Sequence, residues 1–183
     1  MEYLRLFISV PVDILLAKKI HKQFTALDLP WESMRLVLPE QMHITLKFFS
    51  AVPLDKLPEI ISTLESIKTT GQGLDLTLEQ AIVTPLNHPE VISMRLQENQ
   101  ELSNLYNAIE QALFSAGLAH LESRKFNPHL TLARIKKRVE VAELAPLTDW
   151  KTNNFFSASY FSLMQSELTP RGPIYTTLQD FEL

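Results

Sequence analysis

The chain contains no cysteine among its 183 residues. Disulfide bonds, thiolate nucleophiles and zinc–thiolate centres are therefore excluded, because each of them requires a cysteine side chain. The absence of disulfides is typical of proteins from a reducing compartment. Histidine, hydroxyl, carboxylate and basic side chains are left as candidates for any chemistry.

The sequence also lacks the segments that direct a protein to or across a membrane. Residues 1–5 lead directly into a strand-like run, without the basic start, long apolar stretch and small-residue cleavage site of a signal peptide. No apolar run approaches the length that a membrane-spanning helix requires. We therefore expect a cytoplasmic protein without a membrane partner.

Positive charge is not in excess, because 17 lysine and arginine residues stand against 21 aspartate and glutamate residues. The formal net charge of −4 disfavours a protein that coats nucleic acid non-specifically. Contact with RNA would need a local basic patch, and one candidate surrounds His129: Arg124, Lys125, Arg134, Lys136, Lys137 and Arg138. A solvated loop and strand end would carry the same residues, so the sequence leaves both interpretations open.

Hydrophobic spacing predicts an antiparallel α+β fold. Apolar residues recur at helical spacing in three segments, at about 11–27, 54–68 and 98–116. Strands are expected at 3–10, 34–38, 43–49, 74–78, 91–96, 155–164 and 174–181, and within 126–135. A turn signal between the last two strands is Thr169-Pro170-Arg171-Gly172-Pro173. Because the strands are not each followed by a helix, a doubly wound parallel sheet is disfavoured.

One short motif occurs twice, in opposite halves of the chain. His43-Ile44-Thr45-Leu46 and His129-Leu130-Thr131-Leu132 share the pattern His-apolar-Thr-Leu, and both lie on predicted strands. Successive side chains of a strand point to opposite faces. Each histidine therefore shares a face with its threonine, while the apolar residues occupy the other face. If the two strands meet across a cleft, two imidazoles and two hydroxyls converge on one point.

Paired histidines and threonines suit the opening of a cyclic phosphate. One histidine can activate water as a base while the other protonates the departing ribose oxygen. Threonine hydroxyls can donate hydrogen bonds to the non-bridging phosphate oxygens. A zinc site is the alternative use of two histidines, but it needs a third protein ligand, and His21, His88 and His120 lack suitable spacing. We therefore expect neither a metal nor a cofactor.

These motifs resemble those of the two-histidine (2H) phosphoesterase superfamily, and more narrowly of the RNA 2′,3′-cyclic phosphodiesterases, also called 2′-5′ RNA ligases. The resemblance spans nearly the whole chain. It is carried by residues 5–10 (RLFISV), 43–49 (HITLKFF), 128–134 (PHLTLAR), and the late segments 166–168 (SEL) and 172–175 (GPIY).

The resemblance implies a single bilobal domain over residues 1–183, with two antiparallel sheets related by pseudo-twofold symmetry around a central cleft and helices outside. It implies hydrolysis of a 2′,3′-cyclic phosphate to a 2′-phosphomonoester, with reversible 2′-5′ ligation in some members. His43 would be the proton donor and His129 the proton acceptor, with Thr45 and Thr131 holding the phosphate. Arg134 would bind an RNA phosphate or base. RNA ends or small cyclic nucleotide phosphates are the expected partners, and a monomer is expected.

Several points remain open in the sequence. The two motifs are nearly symmetric, so the residues alone do not decide which histidine is the acid. Strict strand alternation places Arg134 opposite His129, so a bulge or strand end must turn it toward the cleft. Lys47 has the alternation expected of a cleft residue, although it could end in solvent. Tyr175 and Phe7 could stack on a base, with core packing favoured for Phe7.

Departures from the resemblance leave the substrate preference open. Phe49-Ser50 replaces a common leucine–glycine pair, and Met164-Gln165 lies where a tyrosine or arginine is frequent. Two alternatives therefore stand beside RNA hydrolysis. One is a phosphodiesterase for a small cyclic nucleotide, and the other is an RNA-binding module that has lost catalysis.

Overall fold

The computed structural model describes residues 2–69, 71–170 and 172–183. Within these ranges the chain forms three α-helices: α1 (Ile14–Thr25), α2 (Leu57–Glu65) and α3 (Gln100–Ser115). The described ranges also form nine strands: β1 (Tyr3–Pro11), β2 (Met34–Leu36), β3 (His43–Pro53), β4 (Leu74–Thr84), β5 (Val91–Leu96), β6 (His129–Ile135), β7 (Phe155–Ala158), β8 (Tyr160–Thr169) and β9 (Gly172–Glu182).

The strands form one curled sheet of two halves. Its order is β7-β4-β5-β6-β3-β1-β8-β9, with β2 paired to β6, and every pairing is antiparallel. The halves meet where β3 pairs with β6, through Ile44 and Leu130. Each half contributes one His-apolar-Thr-Leu motif to this junction. The predicted antiparallel α+β fold is confirmed, although the two predicted sheets are joined into one continuous sheet at this junction.

Side-chain caps fix the starts of two helices. The Asp13 carboxylate accepts hydrogen bonds from the amides of Leu15 and Leu16, both at 3.0 Å, before α1. The Asn99 side chain accepts one from Leu102 N at 2.7 Å, before α3. Each bond satisfies an amide that a helix start would otherwise leave unpaired. None of the helices in the described ranges is long and apolar enough to cross a membrane.

The core lies behind the motif strands, on the face opposite the histidines. Ile44, Leu46, Leu130 and Leu132 are buried there, as strand alternation predicts. Burying a leucine or isoleucine side chain contributes about 1.5–3 kcal/mol. Because a slip of one residue would expose this whole set, burial of the apolar face holds the histidines on the cleft side.

Element boundaries depart from the sequence prediction in a few places. The fourth strand continues to Thr84 because its second half pairs with β5. Residues 54–56 form a 3₁₀ turn, so α2 begins only at Leu57. A further 3₁₀ segment, Val141–Leu147, was not predicted. The predicted turn at 169–173 lies between β8 and β9 as expected, but Arg171 itself lies outside the described residues.

Candidate active site

Both histidines stand at the first position of their strands, beside the sheet junction. His43 begins β3 and His129 begins β6, and the residues that follow them, Ile44 and Leu130, pair with each other. Continuing this antiparallel register sets His43 opposite Thr131 and Thr45 opposite His129. The two histidines and two threonines therefore occupy adjacent positions on neighbouring strands of one sheet.

The two imidazoles are oriented by the same backbone device. His43 Nδ1 lies 2.7 Å from the carbonyl oxygen of Gln41, and His129 Nδ1 lies 2.9 Å from that of Asn127. A carbonyl oxygen can only accept, so Nδ1 carries the proton in both rings. When a ring is neutral, its Nε2 is left as the basic nitrogen.

The surroundings of the two rings differ. The His43 ring stacks on Phe7, with 4.7 Å between ring centroids, and the Tyr175 ring lies roughly perpendicular to it, with 5.5 Å between centroids. His43 is half-buried, whereas His129 is exposed. The pKa of His43 is lowered to about 4: desolvation is the largest cause, the carbonyl of Gln41 opposes it, and the charges of His129 and Arg134 act in the same direction as desolvation.

A bulge in β6 brings Arg134 to the cleft. Ala133 pairs with Ile92 and Thr131 with Ser93, so Leu132 has no counterpart on β5. Leu132 and Ala133 are consequently both buried, and Arg134 returns to the side of Thr131. The bulge that the sequence required for Arg134 is present.

An equivalent bulge in β3 turns Lys47 away from the cleft. Lys47 pairs with Ile8 and Thr45 with Ser9, which leaves Leu46 without a counterpart. The Lys47 ammonium lies 2.7 Å from Glu110 Oε1 and donates to the carbonyl of His120 at 2.8 Å. The expectation that Lys47 faces the cleft or ends in solvent is wrong, because the bulge reverses its side.

A cavity of about 70 Å³ opens beside these groups. Its walls include the predicted residues His43, Thr45, Thr131, Arg134 and Tyr175. His129 is not among the lining residues, although its charge acts on His43. Phe7 is 4% exposed, so the core role favoured for it is confirmed, with the addition that it supports the His43 ring.

Sequence reasoning missed two polar residues that line this cavity and a third residue, Phe48, that does not line it. Arg35 and Gln41 line it, and the Gln41 amide donates to the carbonyl of Pro173 at 2.9 Å. Arg35 follows from the pairing of β2 with β6, which places it beside Arg134. Phe48 stands in β3 where Arg134 stands in β6, and the guanidinium of Arg5 lies 4.4 Å from its ring centroid. Only recognition of the paired bulges would have indicated Phe48.

The cavity walls have the character of an anion site. Arg35 and Arg134 bring two guanidinium groups to it, and the residues of the described ranges that line it include no aspartate or glutamate. Two hydroxyl donors, Thr45 and Thr131, stand on the same walls. Across residues 2–69, 71–170 and 172–183, no group of three or more histidine, aspartate or glutamate side chains is placed to hold a metal ion.

Comparison with protein families identifies the superfamily. The sequence model described as LigT like phosphoesterase matches residues 14–91 and 95–175. The chain belongs to the LigT-like phosphoesterase family. The resemblance to 2H phosphoesterases is thereby confirmed.

Relatives of this LigT-like phosphoesterase extend over nearly its full length. An RNA 2′,3′-cyclic phosphodiesterase of Archaeoglobus fulgidus is 32% identical over 181 residues, covering 98% of this chain and 100% of the relative. One of Methanothermobacter thermautotrophicus, with the same name, is 28% identical over 183 residues, covering 98% of each chain.

Solved structures support the fold. The TT0787 protein of Thermus thermophilus superposes with a TM-score of 0.83 at 24% identity, covering 98% of this chain and 97% of that one. LigT of Escherichia coli, crystallised with 3′-AMP, gives a TM-score of 0.82 at 24% identity, covering 100% and 99%. At this identity the two structures establish that the LigT-like phosphoesterase fold is shared.

Proposed function

We propose that this protein is an RNA 2′,3′-cyclic phosphodiesterase, which opens the cyclic phosphate to leave a 2′-phosphomonoester. The observation that carries the proposal is the pair of His-Thr motifs meeting beside a cavity with two arginines. The names of the Archaeoglobus and Methanothermobacter relatives, which align over nearly the whole chain, support the same activity.

The substrate phosphate is an anion, and the cavity offers donors to it. Thr45 and Thr131 donate their hydroxyls to the two non-bridging oxygens, and Arg134 supplies a positive charge that persists at every working pH. Arg35, on the neighbouring strand, adds a second charge. These donors stabilise the additional negative charge that develops on the oxygens as water attacks phosphorus.

The proton transfers use the Nε2 atoms of the two histidines. His129, as acceptor, removes a proton from water while the water oxygen bonds to phosphorus. The bond between phosphorus and O3′ breaks, and His43, as donor, protonates the departing O3′. The product keeps its phosphate on O2′, and both histidines then exchange protons with solvent.

The low pKa of His43 makes its acid form dependent on the substrate. With a pKa of about 4, His43 is neutral in the free protein at neutral pH. A bound phosphate places negative charge beside the imidazole, which favours the protonated form and raises its pKa. The acid is thus generated where the substrate is bound.

Tyr175 is the proposed contact for the terminal base. It lines the cavity, and its ring lies roughly perpendicular to the His43 ring. Bases of single-stranded RNA commonly stack on aromatic side chains. Cytoplasmic location, a monomeric state and a single functional unit over residues 1–183 stay predictions.

The decisive test is incubation with an oligonucleotide ending in a 2′,3′-cyclic phosphate, in the presence of EDTA. We expect hydrolysis, with the product identified as a 2′-phosphate by its resistance to a 3′-specific phosphatase. A 3′-phosphate product would contradict the proposed leaving group. Binding without turnover would instead support a silent RNA-binding module.

Ligation is the reverse of the cleavage of a 2′-5′ linkage in the same cleft. An incoming 5′-hydroxyl then takes the place of water: His129 removes its proton as its oxygen bonds to phosphorus, the bond between phosphorus and O3′ breaks, and His43 protonates O3′. Supplying a second oligonucleotide with a 5′-hydroxyl tests whether a 2′-5′ linkage forms alongside hydrolysis. Hydrolysis alone would remove ligation from the proposal without affecting the phosphodiesterase activity.

A further inference from the structure

A second and larger recess adjoins the cavity at the end of β6. This groove has a volume of about 590 Å³, within the range of about 300–1,000 Å³ that is usual for ligand sites. Its walls are residues 87–91, from the turn into β5, and residues 134–141, which follow from β6. Arg134 lines both the groove and the cavity, so the two recesses are neighbours.

The groove is positively charged although the protein is negative overall. Arg134, Lys136, Lys137 and Arg138 line it, and the carboxylates among its described wall residues are Glu90 and Glu140. The net charge of the whole protein is −4, so this concentration of cations is local. It contains four of the six basic residues that the sequence grouped around His129.

One of these two carboxylates, Glu140, already has a permanently charged partner. Glu140 lies 3.0 Å from Arg138 and forms a capping box with Glu143 at the start of the following 3₁₀ segment. Glu90 lies 3.6 Å from the imidazole of His88. By contrast, Lys136 and Lys137 form no ion pair within the described parts of the chain. Their positive charge is thus available to an external anion.

The backbone of the two lysines is held by the segments that lead into β2 and β5. Their amides donate to the carbonyl oxygen of Ser33, at 2.7 Å from Lys136 and 3.3 Å from Lys137. The amide of Ile135 donates to the carbonyl of Glu90 at 2.8 Å. The lysines therefore project from a fixed strand end, at a constant position relative to Arg134.

We propose that this groove binds the backbone phosphates of the RNA nucleotides that precede the terminal cyclic phosphate, with Lys136 and Lys137 as their main contacts. The inference rests on the proposed function and adds its substrate class, an oligonucleotide end. The cyclic phosphate occupies both hydroxyls of the last ribose, so the remaining chain leaves the cavity through the 5′ oxygen. The groove begins at Arg134, beside the cavity, and its lysines lie where the preceding nucleotides would leave the cavity.

The test compares Lys136→Ala/Lys137→Ala with a matched control, Lys22→Ala/Lys68→Ala. The control removes the same charge at exposed positions that line neither recess. Hydrolysis is measured for a pentanucleotide ending in a 2′,3′-cyclic phosphate and for a mononucleoside 2′,3′-cyclic phosphate. We expect the groove variant to lose about tenfold in kcat/KM on the pentanucleotide alone, which is the loss of roughly one charged contact.

Salt dependence and binding supply independent measurements. Each lost phosphate contact lowers the slope of log affinity against log salt by about 0.7 for a single strand. The binding probe is a pentanucleotide ending in a 2′-phosphate, followed by fluorescence anisotropy. The groove variant should bind it more weakly than the control and with a smaller salt slope.

The possible failures can be told apart. Equal binding of the probe by the groove variant and the control would overturn the groove proposal, whatever the activity. An equal loss of kcat/KM on the mononucleotide would also overturn it, because the lysines would then act on the reacting phosphate itself. Absence of turnover in a wild-type protein that binds the probe through the lysines would overturn the proposed function and leave the groove supported.

Discussion

The two motifs share their backbone geometry but differ in what surrounds them. In both, a carbonyl two residues earlier fixes Nδ1, and the leucine after the threonine forms a bulge. Only His43 is enclosed by aromatic rings, while His129 is exposed. The repeated backbone places two equivalent nitrogens, and the unequal packing makes them chemically distinct.

The largest expected effect concerns the roles of the two histidines. His43→Ala and His129→Ala should each lower kcat on a cyclic phosphate by about 10²–10⁴, the usual contribution of a general acid or base. The double variant should lose far less than the product of the two single effects, because the groups act as a unit. Steady-state hydrolysis rates measure all three.

A substrate with a good leaving group separates acid from base. From a nitrophenyl phosphodiester of a nucleoside, the nitrophenolate departs without being protonated. The His43→Ala variant should therefore recover most of its activity on this substrate, whereas the His129→Ala variant should not. A methyl phosphodiester serves as the matched control, on which both variants should remain inactive. If the His129→Ala variant recovered its activity instead, His129 would be the acid and His43 the base.

The next largest effect concerns stability. Lys47 follows the bulge in β3, and the equivalent position after the bulge in β6 is Ala133. Lys47 is paired with Glu110 at 2.7 Å, with side-chain exposures of 12% and 6%. Glu110→Ala leaves the lysine charge buried without its partner, so we expect a loss of about 3–5 kcal/mol in the free energy of unfolding. Urea denaturation measures the loss.

Two further variants define the origin of that loss. Lys47→Met/Glu110→Leu should recover most of the stability, because it removes both charges together. Glu79→Gln, which breaks the exposed pair with Arg95, should change stability by less than about 1 kcal/mol. A double variant as unstable as Glu110→Ala would assign the effect to packing instead of charge.

The pH dependence of stability provides a smaller test of the same asymmetry. In the unfolded chain His43 has its ordinary pKa of 6.5, whereas burial lowers the folded value to about 4. As the pH falls from 6.5 to 4, protons bind preferentially to the unfolded chain, so folding stability is lost across this window. His43→Gln should remove this component from urea denaturation curves measured between pH 4 and 7.5.

Titration by NMR observes the ring directly. The His43 midpoint should lie well below 6.5, return toward it in Tyr175→Ala, and rise when a nucleoside 2′-phosphate is bound. A midpoint that the nucleotide leaves unchanged would contradict the substrate-dependent formation of the acid. His43 titrating at 6.5 in the free protein would contradict the effect of burial.

The sequence predicted those parts of the site that depend on local pattern. The faces of His43 and His129 follow from strand alternation, and the need for a bulge before Arg134 was visible in the same way. The side of the strand that Lys47 faces could not be predicted in this way, because the bulge that turns it depends on the register between β3 and β1. Arg35 and the burial of His43 arise from elements far apart in the chain, which no local pattern encodes.

The smallest expected effect concerns Phe48, the counterpart of Arg134. Arg5 lies 4.4 Å from its ring centroid, and cation–π contacts at exposed sites contribute about 0.5–1 kcal/mol. A double-mutant cycle with Arg5→Met and Phe48→Leu should give a coupling of this size in urea denaturation, since both replacements keep the apolar volume. No coupling would mean that Arg5 and Phe48 stabilise the protein independently, and that the β3 position equivalent to Arg134 holds no cation.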